Sequence, residues 1–186
     1  MKQSSIIIVT LGLILSGVAC TIVSPFLIAL NLPLEVSALL NTGNSWNESK
    51  TYNIQDEIKK VSTSYVNKVK ATRVSDITVF MPNPPSSGTA SGVVLESLDG
   101  GTLDTLASFS NVPFDSLKSP GVSLANTSLI TFNLPVLHSL LNALQDSTGL
   151  PATATITVQT IGTTSVTVPQ NTQITASIHY QVDVSI

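Results

Sequence analysis

Gln173-Ile174-Thr175-Ala176-Ser177-Ile178-His179-Tyr180-Gln181-Val182-Asp183-Val184-Ser185-Ile186 is the stretch that decides the fold. Ile174, Ala176, Ile178, Tyr180, Val182, Val184 and Ile186 alternate with Gln173, Thr175, Ser177, His179, Gln181, Asp183 and Ser185. Successive side chains of a strand point to opposite faces, so a period of two lays the apolar row on a core and the polar row away from it. Burying the larger members of that row contributes roughly 1.5–3 kcal/mol each, which puts this strand at the centre of the core.

The same period recurs near the start of the domain. Phe26, Ile28, Leu30, Leu32, Leu34 and Val36 alternate with Leu27, Ala29, Asn31, Pro33, Glu35 and Ser37. Pro33 has no N–H to give a ladder, so this strand belongs at a sheet edge or a bulge. Residues 41–49 contain Gly43 and several Asn and Ser, and read as a loop leading to a shorter strand around Lys50 to Tyr52. Asn53 or Asp56 can cap a short helix carrying Ile54, Ile58, Val61 and Tyr65 at helical spacing. Val74, Ile77, Val79 and Met81 keep one apolar face only with a bulge near Ser75 and Asp76.

Pro82, Pro84 and Pro85 then exclude both helix and ladder. Gly92 to Ser97 and Leu103 to Asn111 read as a hairpin across Asp99-Gly100-Gly101. The proline-containing run from Val112 to Asn126 is expected to cross from one sheet to the other, and Ser128 to Asn133 to be extended. Asn133 can cap a second helix whose apolar stripe is Val136, Leu137, Leu140, Leu141 and Leu144. Ala152 to Gln159 alternates as a strand, Gly162 is expected to turn the chain, and Val166 to Val168 to form one more short strand. About seven strands, no βαβ alternation and one or two short inserted helices amount to an all-β fold, an immunoglobulin-like Greek-key β-sandwich.

A different pattern precedes the domain. Lys2, the apolar run Ile6 to Leu15 and the small residues Gly17-Val18-Ala19 before Cys20 have the layout of a secretory leader. Residues 1–19 are read as a signal peptide of lipoprotein type, 20–25 as an anchor and short linker, and 26–186 as a single domain. Cleavage after Ala19 leaves Cys20 first, where a lipoprotein carries its diacylglyceryl thioether. Ordinary secretion would cut the same bond, whereas an uncleaved anchor would use the apolar run from Ile6 to Val23, close to the ~20 residues that span a bilayer. Cys20 is the chain's single cysteine, so no intrachain disulfide forms and the domain is held by its core.

Charged residues make up 10% of the chain, against ~25% in ordinary globular domains. Lys50, Lys59, Lys60, Lys68, Lys70 and Arg73 concentrate the positive charge in one segment, read as a solvated surface, and the net charge of -3 opposes nucleic-acid binding. Catalysis and metal binding draw on clustered His, Cys, Asp and Glu, and two histidines with one cysteine supply little. Gly121-Val122-Ser123-Leu124-Ala125 lacks the final Gly and the strand-turn-helix setting of a nucleophile elbow. No catalytic, cofactor or metal site is expected, and the protein is read as a non-enzyme. Leu137, Leu140, Leu141 and Leu144 are candidates to line either a core or an apolar cavity. Trp46, in its loop, is a candidate contact residue.

Cys20, the alternating strand Phe26 to Val36, the Ile54 to Val61 helix leading into Ile77 to Val79, and the closing Thr175-Ala176-Ser177-Ile178-His179-Tyr180-Gln181-Val182 together resemble the β-sandwich, immunoglobulin-like envelope lipoproteins of Bacteroidetes-type bacteria, whose function is unknown. The resemblance implies a non-catalytic domain exported to the bacterial cell envelope and attached to a membrane through its N-terminal lipid or anchor. A protein or glycan would be its partner. Two further roles fit the sequence: a carrier of an apolar or lipid ligand between the sheets, and a subunit of a surface fibre.

Overall fold

The computed structural model describes residues 27–40, 43–65, 69–123, 128–137 and 154–185. Within them the chain is an all-β sandwich of two antiparallel sheets. Its strands are β1 (Leu27–Leu40), β2 (Ser45–Asn53), β3 (Val69–Phe80), β4 (Thr89–Leu98), β5 (Asp104–Pro113), β6 (Val122–Ser123), β7 (Ile130–Phe132), β8 (Thr155–Thr164) and β9 (Thr172–Ser185). Seven of these are long, while β6 and β7 add only two and three residues to their sheets. One sheet has the order β1-β9-β3-β6 and the other β2-β8-β4-β5-β7. Among the described strands, β4 and β5 alone are neighbours both in sequence and in a sheet.

β9 lies between β1 and β3, and its even-numbered row is buried from Ile174 to Val184. On its other face Thr175 and Ser177 are buried although they belong to the polar row, while Gln173, His179, Gln181 and Asp183 are half-buried. Thr175 exchanges a hydroxyl–hydroxyl hydrogen bond of 2.9 Å with Ser37 across the β1 ladder. β1 alternates fully, with Leu30, Leu32, Leu34, Val36, Ala38 and Leu40 buried. It is an edge strand of its sheet, one of the two places that Pro33 allows. The Tyr52 hydroxyl reaches across from β2 and donates to the Glu35 carbonyl, occupying an acceptor that a free strand edge would otherwise present.

Helix α1 (Ile54–Val61) follows β2 directly. The Asn53 side chain accepts from the Asp56 N–H at 3.0 Å, while Ile54 and Ile58 face the core. β3 pairs with β9 through a register shift between Val74 and Asp76, the bulge that returns Ile77 and Val79 to the buried row. After β5, a 3-10 turn from Phe114 to Leu117 takes the chain to β6 in the opposite sheet and buries both of those end residues. Asp99 and Gly100 adopt positive φ at the β4–β5 turn, and the Asp99 carboxylate accepts from the Thr155 N–H at 2.7 Å.

Four sequence expectations change. β2 begins at Ser45, so Trp46 stands in a strand rather than in a loop. Gly162 does not turn the chain but lies within β8. Residues 166–168 are not a strand, although Val168 is buried. Residues 134–137 are helical, with the Val136 N–H 3.4 Å from Asn133 Oδ1, but Val136 and Leu137 are only partly buried against the core.

Candidate functional site

Cys20, Leu140, Leu141 and Leu144 lie outside the described residues. Leu137 is half-buried against the core. Trp46 is 5% exposed, and its indole stacks with Phe109 at 6.3 Å between ring centroids. Its N–H donates to Thr160 Oγ1 at 3.1 Å. Gly162 of β8 and Gly92 of β4 stand opposite each other in register between these rings. A Cβ at Gly92 would come within 2.9 Å of Phe109 and 3.0 Å of Trp46, and one at Gly162 would overlap the indole. The two glycines form the floor on which the rings lie, so Trp46 serves packing and offers no exposed surface to a partner.

Between the sheets, the space bounded by Leu32, Leu34, Ile54, Ile156, Tyr180 and Val182 amounts to about 10 Å3, room for about one water. Ligand sites run to roughly 300–1,000 Å3, so among the described residues this space is packed core. A larger space opens on the surface: a groove of about 410 Å3 formed by Thr105, Ala107 and Ser108 of β5, Thr131 and Phe132 of β7, and Asn133, Leu134 and Pro135. All eight lining residues are uncharged. They offer hydroxyls, one amide and apolar surface, a set suited to contact rather than to acid–base chemistry.

On the outer face of β9, Ser177 Oγ lies 3.2 Å from His179 Nε2, and His179 stands opposite Asp76 in register. These are the residue types of a hydrolytic triad, but the Ser177 side chain is covered, which bars the access a nucleophile needs. Among the described residues, no three His, Cys, Asp or Glu side chains group closely enough to hold a metal ion.

Glu96 is the feature that the sequence reading missed. It lies on the inward face of β4, 3% exposed, and accepts a hydrogen bond from the buried Tyr180 hydroxyl of β9 in the opposite sheet. Its second oxygen, Oε2, is buried with no hydrogen-bond partner among the described residues. Burial pushes the Glu96 carboxyl from its ordinary 4.5 up to about 7, with the Tyr180 hydrogen bond pulling the other way. Burial first, then the Glu96 charge and hydrogen bond, hold the Tyr180 phenol well above its usual range. The one available signal was an acid at an inward position of the alternation Val94, Glu96, Leu98. Its partner, 84 residues away, could not be read from spacing.

No protein-family model matches the chain, and no curated protein matches it. Among solved structures it is similar to one of turnip yellow mosaic virus, at 15% identity over 88% of this chain and 83% of the other, with a TM-score of 0.36. A structure of Desmodium yellow mottle tymovirus matches at 11% identity over 88% of this chain and 85% of the other, with a TM-score of 0.31. These TM-scores are too low to carry any argument about function.

Proposed function

We propose that the protein is a non-enzymatic, exported domain held to a bacterial cell envelope through a lipid on Cys20, acting on a protein or glycan partner through its surface. Support comes from the packing between the sheets: among the described residues, the space bounded by Leu32, Leu34, Ile54, Ile156, Tyr180 and Val182 is only about 10 Å3, far smaller than a ligand site. The uncharged groove beside β7 is of a size to contact a partner. The domain needs no disulfide to hold this shape, in keeping with a lone cysteine assigned to attachment.

Expression of the full chain in a bacterial host, membrane fractionation and intact-mass measurement test the proposal. An acyl-sized increment on a chain beginning at Cys20, lost together with membrane attachment in Cys20→Ser, is the expected result. A bare chain beginning at Cys20 would refute tethering in favour of simple secretion. A chain that keeps Met1 would refute it in favour of an uncleaved anchor.

A further inference from the structure

We propose that the buried Glu96–Tyr180 pair makes a proton-dependent latch between the two sheets, closed while the Glu96 carboxyl is neutral and loosened when it ionises, because the buried carboxylate then seeks water, not because its bond to Tyr180 weakens. The geometry sets this up in three ways. The hydrogen bond from Tyr180 to Glu96 joins the central strand of one sheet to an inner strand of the other, so it lies across the interface that makes the sandwich. Both residues are buried, Glu96 at 3% and Tyr180 at 2% exposure. Ionisation would leave a carboxylate with a single donor and one oxygen unbonded, whereas buried carboxylates need several donors to be tolerated.

The elements packed around Glu96 do not rescue that charge. Val158 of β8 is its register partner on one side and Asp104 of β5 on the other; Asp104 is exposed and carries the same sign. Lys50 of β2 stands opposite Val158, one strand further away, and its exposed ammonium sits over the Tyr52 ring at 4.8 Å. From the facing sheet come Tyr180 itself and its register partners Leu32 and Val74, both apolar. In α1, Ile54 and Gln55 are buried, while Asp56, Lys59 and Lys60 are exposed and occupied in ion pairs within the helix.

The direction follows from proton linkage. With the folded carboxyl displaced from 4.5 to about 7, the folded state keeps a proton that the unfolded state has lost throughout that window. Stability is therefore full below the lower value, falls as pH rises through the window, and levels off above the upper one.

The test is urea unfolding of the wild type and of Glu96→Gln, followed by Trp46 fluorescence, at several values between about pH 5 and about pH 8.5. The folding equilibrium constant of the wild type should fall by up to roughly two orders of magnitude across that range, and that of Glu96→Gln should change far less. Equal pH slopes in the two proteins would overturn the latch. Carbon-13 NMR titration of the Glu carboxyls in the wild type needs no variant to fold: one carboxyl titrating near neutrality supports the proposal, and all of them titrating in the ordinary acidic range would sink it.

Discussion

Gly162→Ala should be among the most damaging single-methyl additions in the domain. The new Cβ would sit 2.5 Å from Trp46 Cη2, and closer still to Cζ2 and to the Ser91 carbonyl. The carbonyl belongs to the β4–β8 ladder and has little freedom, so the indole must move. Its path is limited by Phe109, stacked on it, and by the 3.1 Å hydrogen bond from its N–H to Thr160. Overpacking of this kind costs about 1–3 kcal/mol, and leaving a buried N–H without its acceptor about 1–3 kcal/mol more. Together these give about 2–6 kcal/mol, a large share of the roughly 5–15 kcal/mol that holds a domain folded. Trp46 is the single tryptophan, so its fluorescence during urea unfolding reports on the affected site. A midpoint equivalent to a loss under about 0.5 kcal/mol would refute the tight-floor reasoning. In the Trp46→Phe background, followed by circular dichroism, the same substitution should cost about 1–2 kcal/mol less, because the smaller ring leaves room.

Ile178→Asp should leave little folded protein, since it buries an unpaired charge in the fully enclosed row of β9. His179→Asp, on the opposite face and next to Asp76 in register, should lose about 1 kcal/mol or less; soluble yield and thermal unfolding of the pair would reveal whether the alternation maps onto one buried face. Asn53→Ala removes the side-chain acceptor at the start of α1 and should cost about 1 kcal/mol in urea unfolding; an unchanged midpoint would mean that packing of Ile54 and Ile58 alone fixes the helix start.

The parts of the fold that were legible in the sequence are those where a local rule and the tertiary environment ask for the same residue. β1 shows this: its apolar row faces the core, and its proline falls on an edge strand, where a missing N–H breaks no ladder. The bulge between Val74 and Asp76 was legible for the same reason, since a period of two that slips by one residue must be corrected in the backbone. Gly162 misleads because glycine marks turns when only its neighbours are considered. What it accommodates is an indole on another strand, in a strand pair whose hydrogen-bonded side chains are 114 residues apart. Trp46 misleads as its counterpart: Gly43, Asn44 and Ser45 before it suggest a loop, and only the two facing glycines explain how so large a ring enters the core.

Glu96 stands apart from both cases, because there the local pattern and the environment conflict in the folded protein itself. An apolar side chain of similar size at that position would bury without a desolvation cost, whereas a carboxyl with one donor is held only by remaining neutral. Its hydrogen bond with Tyr180 thus adds little net stability to a sandwich already closed by the rows from Leu30 to Leu40 and from Ile174 to Val184. What it adds, under the proposed latch, is dependence on the proton concentration outside the domain. Under the proposed latch, that sensitivity sits between inner strands of the two sheets rather than on a loop. The surface groove beside β7 is built on β5, the ladder partner of β4, which carries Glu96. Glu96 is thus one strand removed from the residues of β5 that line the groove.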